Sequence, residues 1–220
     1  MVDDASLPTV LLTGFAPFGG HVDNPSQAVV RALDGEVVAG HRLVGRELPV
    51  EFGRSLRTLR GAIREARPAL VVCVGQAGGR AKISLERVAI NVDDARIPDN
   101  AGAQPVDTPV VAGGPAAYLT TLPVKAMLVA MTRAGIPVEV SQTAGTFVCN
   151  HVFYGLMHAL RRRKPVRGGF IHIPYSDAQA ACHPGQPGLP LETMVAGVRI
   201  AVEAALSHAT DVVVAAGAEH

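Results

Sequence analysis

Residues 69–75 read Ala69-Leu-Val-Val-Cys-Val-Gly75, six apolar residues in a row closed by a glycine. A strand with one wet face alternates apolar and polar side chains. An unbroken run leaves no face for water, so it predicts a central strand covered on both sides. The flanking segments supply the cover. Phe52 to Ala66 carries apolar residues at helical spacing and stops before Pro68. Upstream, Thr9 to Thr13 is a short β-branched strand, and Asn24-Pro25 opens a helix, Asn24 capping it and Pro25 taking the first turn. Arg42 to Val50 reads as a strand between these helices.

The alternation continues downstream. Ile83 to Val92, Val138 to Ser141 and Gly169 to Ile173 read as strands. Leu122 to Ala134, Phe147 to Arg163 and Leu191 to Leu206 read as helices. Asp93 to Pro115 is a long polar loop rich in Gly and Pro, and His183 to Pro190 is a second one. No composition break marks a linker. The expectation is one α/β domain over residues 1–220, a mostly parallel open sheet sandwiched between helices. Residues 209–220 are either a late strand or a loose tail. Ligand sites in such sheets lie beyond the C-terminal strand ends. The segments expected there start at Gly14, Gly75, Ser141 and Pro174.

Composition excludes several functions. The 20 Lys and Arg nearly balance 19 Asp and Glu, so no long-range field draws nucleic acid or an anionic membrane. The basic run Arg161-Arg-Arg-Lys164 reads as the solvated last turn of a helix, with no second basic cluster beside it in sequence. No apolar run reaches the roughly 20 residues of a membrane span. The first eight residues carry Asp3 and Asp4 and no basic segment, unlike a signal peptide. Three cysteines do not make a disulfide framework. These features together point to a reducing cytoplasm.

Chemistry concentrates in Ser141-Gln-Thr-Ala-Gly-Thr-Phe-Val-Cys149-Asn150. A polar loop leads from a strand into a helix whose start carries Cys149. A helix N-terminus favours a thiolate, and its free N–H groups can hold an oxyanion. A small buried core cysteine fits the same letters equally well. Most of the eight histidines sit among charged or loop residues and read as surface. His172 differs, lying in Phe170-Ile-His-Ile-Pro174 at an apolar strand end. One helix and one strand separate it from Cys149, which suits a Cys–His pair on adjacent strand ends. Glu86 is a carboxylate in an apolar setting that either orients an imidazole or pairs with Arg80 or Arg87. Arg96 either holds a carbonyl or makes a loop salt bridge. Phe15 and Phe18 either anchor a loop or wall an apolar pocket. Gly75-Gln-Ala-Gly-Gly-Arg80 lacks the lysine of a phosphate-binding loop, and no metal-ligand spacing is present.

These segments resemble the pyrrolidone carboxyl peptidase (pyroglutamyl peptidase I) family of cysteine peptidases. Gly75 through Asn91 is similar to the family's glutamate signature, Ser141 through Asn150 to its cysteine signature, and Phe170 through Pro174 to its histidine segment. Thr13-Gly-Phe-Ala-Pro-Phe-Gly-Gly20 and Asp94-Ala-Arg-Ile-Pro-Asp-Asn100 fit as well, and the likeness runs from about Val10 to Leu206. The resemblance implies Cys149 as nucleophile, His172 as base and Glu86 as its orienting partner. It implies Phe15 and Phe18 lining a pyrrolidone pocket, Gln76 holding the lactam through its backbone, and Arg96 near the oxyanion. It also implies peptides with N-terminal pyroglutamate as substrates, no metal or organic cofactor, and a homo-oligomer, dimer or tetramer. Cys73 and Cys182 have no catalytic part in this reading. Two other readings stand beside it. One is a thiol amidohydrolase for another cyclic amide. The other is a binding domain whose Cys149, His172 and Glu86 are structural.

Overall fold

The computed structural model describes residues 7–163 and 165–217. The readings placed on Asp3, Asp4, Lys164 and residues 218–220 lie outside them. The main sheet contains β1 (Thr9–Phe15), β2 (Val37–Val38), β3 (His41–Leu48), β4 (Leu70–Gln76), β5 (Ile83–Glu86), β8 (Val138–Ser141) and β9 (Arg167–Ile173). Two small ribbons pair β6 (Val88–Ile90) with β7 (Ala117–Leu119) and β10 (Tyr175–Ser176) with β11 (Gly188–Leu189). The helices are α1 (Pro25–Leu33), α2 (Arg54–Ala66), α3 (Val124–Arg133), α4 (Val148–Leu160), α5 (Asp177–Ala181) and α6 (Leu191–Ser207).

The sheet order is β2-β3-β1-β4-β9-β5-β8. β4 lies in the middle and every residue of it is buried, as its unbroken apolar run requires. Side-chain parity splits its core in two. Leu70, Val72 and Val74 join the cluster under α1, α3 and α6, whereas Val71 and Cys73 join the one under α2 and α4. The same alternation runs through β1, where Val10 and Leu12 face one way and Leu11 and Phe15 the other. At α1, Asn24 accepts the Ser26 N–H, so the cap read from sequence forms.

The sheet is mostly parallel, with two antiparallel contacts, β2–β3 and β5–β9. The second corrects an expectation. β8 is parallel to β5, so both run against β1, β4 and β9, and Ser141 ends level with Phe170 rather than at the shared C-terminal edge. β5 also separates β8 from β9. Residues 142–147 must therefore return the chain to the edge where α4 starts. A second correction concerns Ile83 to Val92, which breaks after Glu86. Thr121 N–H donates to Gly168 O, and a Cβ on Gly169 would lie 2.2 Å from Thr120 Oγ1. The 120–121 segment thus fills the flank of β9 that a longer β5 would need, and Val88–Ile90 pairs with β7 instead.

The basic run also differs from expectation. α4 ends at Leu160, so Arg161 to Arg163 follow the helix, and the α2 arginines meet them in space. Arg60, Arg64 and Arg163 line one shallow groove there, and Arg64, Arg67 and Arg163 its neighbour. The second basic cluster thus comes from tertiary packing. After Ser207 the described tail forms no strand, but it is tied down. Arg167 donates to the carbonyls of Ala205 and His208, and Arg87 to that of Ala216. No described helix is long and apolar enough to cross a membrane.

Candidate active site

One side-chain parity assembles the site. Cys73 and Gly75 face α4, as do Phe170 and, two residues on, His172. Gly75 is the register partner of His172, and Glu86 that of Phe170. Glu86 therefore lies one strand over from His172, on the same face. Its Oε1 is 2.7 Å from His172 Nδ1, and both side chains are buried. An ionised carboxylate only accepts, so Nδ1 carries the proton and Nε2 is left as the acceptor.

α4 carries Cys149 in its first turn, over Gly75. A Cβ on Gly75 would come within 3.0 Å of Cys149 Sγ and 2.7 Å of the Phe170 ring. Gly75 is thus the gap through which the thiol reaches the sheet face beside His172. The helix start has Phe147 as N-cap with no side-chain cap, so its first N–H groups remain free for a ligand.

Arg80 completes the charge arrangement. Its Nη1 lies 2.6 Å from Glu86 Oε1, and its Nη2 donates to Thr143 O at 2.9 Å. The two sequence readings of Glu86, imidazole partner and arginine partner, are both realised on a single oxygen. Burial by itself would raise the Glu86 pKa. The hydrogen bond and charge of His172, the nearby Ser141 hydroxyl and the Arg80 charge outweigh it and hold the carboxyl below its ordinary value. For His172, burial disfavours the cation and Arg80 adds to this, so its pKa lies below the usual imidazole value despite Glu86. Burial, then the Glu86 charge, push the Cys149 thiol up to about 12, with Arg80 opposing. Both shifts favour the neutral forms, thiol and imidazole. Cys73, in the strand core, is also pushed up to about 12 by burial.

A narrow cleft opens at Cys149, lined by Phe15, Phe18, Asn24, Val50, Gln76, Phe147 and Val148. Phe15, Phe18 and Gln76 are thus brought to Cys149. Arg96 is not: it is exposed on the 93–115 loop and lines no part of the cleft. Two of the cleft's polar side chains already have partners. Asn24 bonds Ser26 and the Ala16 carbonyl, and Gln76 Oε1 accepts from Gln179 Nε2. No carboxylate lines it. Sequence reading missed Phe147, Asn24 and Val50 as wall residues. Phe147 had a signal, standing two residues before Cys149; Val50 and Asn24 are brought in only by the fold. It also read His151 as surface, whereas it is buried, 2.8 Å from Asp93. The misreading arose because its carboxylate partner lies 58 residues away. Among the described residues no cluster of three or more His, Cys, Asp or Glu could hold a metal ion.

Comparison with known proteins places the chain among relatives of one kind. Residues 8–208 match the sequence pattern of the family described as pyroglutamyl peptidase. The chain is 64% identical over 208 residues to a pyrrolidone-carboxylate peptidase of Cupriavidus taiwanensis, covering 94% of this chain and 96% of that one. It is 57% identical over 211 residues to that of Klebsiella pneumoniae, covering 96% and 99%. Among solved structures, pyroglutamyl peptidase I of Bacillus amyloliquefaciens matches with TM-score 0.90 at 48% identity over 93% of this chain and 100% of that one. A mutant pyrrolidone carboxyl peptidase from Pyrococcus furiosus matches with TM-score 0.87 at 40% identity, over 90% and 98%. With so much of each chain covered, at these identities and on one fold, this chain belongs to the pyroglutamyl peptidase family of cysteine hydrolases.

Proposed function

We propose that the enzyme removes an N-terminal pyroglutamyl residue from peptides through Cys149, His172 and Glu86. The observation that carries this reading is the 2.7 Å Glu86–His172 bond on the sheet face that Cys149 Sγ meets over Gly75. His172 Nε2 takes the thiol proton as sulfur adds to the carbonyl joining pyroglutamate to the next residue. With the thiol pushed up to about 12, transfer accompanies attack rather than preceding it. Glu86, with its charge held by Arg80, stabilises the imidazolium that forms. The first N–H groups of α4 hold the oxyanion, a contribution of roughly 3 kcal/mol per donor in other enzymes. The imidazolium gives its proton to the leaving amine. Water, deprotonated by His172, then adds to the thioester; the C–S bond breaks, the imidazolium returns its proton to the Cys149 sulfur and pyroglutamate leaves. Arg96 joins the oxyanion only if its exposed side chain turns inward.

The cleft supports the substrate class. A pyroglutamyl ring is flat and neutral, and the walls are aromatic and aliphatic. An ordinary N-terminus would bring an ammonium into a cleft with no carboxylate to pair it, at a desolvation cost of several kcal/mol. The family likeness also suggests a homodimer or homotetramer, which light scattering of the purified chain checks. The deciding experiment is release of a fluorescent amine from pyroglutamyl and prolyl amides, with Cys149→Ala beside wild type. The expected result is turnover of the pyroglutamyl amide alone, lost in the variant. Turnover of neither by reduced wild type would sink the peptidase reading. Slow alkylation of Cys149 would not separate a binding domain from this enzyme, because a thiol pushed up to about 12 reacts slowly in both.

A further inference from the structure

A second buried imidazole–carboxylate pair stands two residues beyond Cys149 on α4, and the reaction above does not use it. His151 is 5% exposed. Its Nδ1 lies 2.8 Å from Asp93 Oδ2, and its Nε2 accepts the Gly53 N–H at 2.9 Å. A nitrogen that accepts from a backbone N–H carries no proton, so the ring is neutral and donates from Nδ1 to Asp93. Both ring nitrogens are thereby committed to structure.

What they hold is the back of the cleft wall. Gly53 is the N-cap of α2, in the left-handed region at φ 70 and without a side-chain cap. Its neighbour Phe52 donates its N–H to Asp99 Oδ2 at 2.7 Å. The Phe52 ring meets the His151 imidazole edge-on at 5.3 Å and Phe147 at 5.5 Å. Phe147 lines the cleft and lies 6.2 Å from Phe18. A continuous series of contacts therefore runs from His151 through Phe52 to the cleft wall. Asp93 and Asp99 fasten the start of the long loop to the same place.

We propose that His151 is a positioning residue for substrate recognition. By accepting the Gly53 N–H it seats Phe52 behind Phe147 and so sets the width of the cleft for a flat neutral ring. It touches neither substrate nor the reacting atoms. The inference rests on the cleft being the pyroglutamyl site, as proposed above.

The test compares His151→Asn with His151→Gln. Asn places an amide near Nδ1 and leaves the Gly53 N–H without an acceptor; Gln places an oxygen near Nε2 and restores one. Losing a buried acceptor is expected to raise KM for a pyroglutamyl amide about tenfold in His151→Asn. kcat should stay within about threefold, because nothing in the reacting set moves. His151→Gln should recover most of the KM. Equal KM loss in both variants, an unchanged KM, or a loss confined to kcat overturns the proposal. If His151→Asn does not fold, Phe52→Leu, which removes the ring alone, carries the same expectation. A wild type inactive on pyroglutamyl amides refutes the substrate reading separately. The coupling is then judged by amide exchange at Gly53, which His151→Asn must speed and His151→Gln restore.

Discussion

In the proposed reaction a proton on His172 switches the site off, and the surroundings of the ring set the pH at which that happens. Burial and Arg80 hold its pKa below the ordinary value near 6.5. The proposed reaction needs the neutral ring, so kcat/KM should be flat above that ordinary value and fall only as pH drops through the lowered one. The thiol, pushed up to about 12, supplies no falling limb in the usual assay range. A kcat/KM profile on the pyroglutamyl amide checks both. A resting thiolate–imidazolium pair would instead keep the rate of alkylation constant down to acidic pH. Arg80→Gln should move the acid limb upward, because removing the guanidinium lets His172 bind a proton more readily. It should also cost about ten- to hundredfold in kcat/KM, the size of one lost charge-assisted hydrogen bond to Glu86. At this scale the segments that bring Cys149, His172 and Glu86 together were legible in the sequence. Arg80 was visible only as a competing partner, because letters cannot say that one oxygen serves both. Arg96 stands exposed on its loop, and nothing in a loop sequence tells which way an arginine turns.

Elements place these residues, and a glycine decides how closely two of them approach. Gly75→Ala would set a methyl 3.0 Å from Cys149 Sγ and 2.7 Å from the Phe170 ring. Phe170 has no slack, being buried and packed against Phe15 and Phe153. Overpacking of this kind costs about 1–3 kcal/mol, and displacing the proposed nucleophile by about 1 Å costs about a hundredfold in rate. A methyl added at Gly61 in α2 would meet nothing within 4 Å, so Gly61→Ala should instead gain about 0.5–1 kcal/mol with unchanged activity. Thermal unfolding and kcat/KM of the two variants should therefore diverge in opposite directions. The long elements were legible for the reason β4 was: continuous or periodic apolar letters have few structural readings. β2, β7, β10, α5 and β11 were not, because two to five residues carry no period. The break after Glu86 was hidden because Thr120 and Thr121, which cause it, lie far along the chain.

For the whole molecule, the sheet separates two tasks. The α2 and α4 face carries Cys149, His172 and Glu86, and the α1, α3 and α6 face carries a continuous apolar core. The α/β class and single domain were legible because strand and helix alternate without a break. Strand direction was not: nothing local tells β5 and β8 to run against β9. The tail was also opaque, and its role follows from where it docks. α3 starts after Pro123 with no side-chain cap of its own. Asp211 supplies one from 86 residues away, accepting the N–H groups of Lys125 and Ala126 at 3.0 and 2.8 Å. A carboxylate at a helix N-terminus both satisfies free donors and opposes the helix dipole. Asp211→Ala should therefore cost about 1 kcal/mol, or roughly 2–4 °C in Tm for a chain of this size. Because the cap lies on the face away from Cys149, kcat and KM should not change. An activity loss matching the stability loss would mean that the tail, beyond closing α3, supports the catalytic face through the sheet.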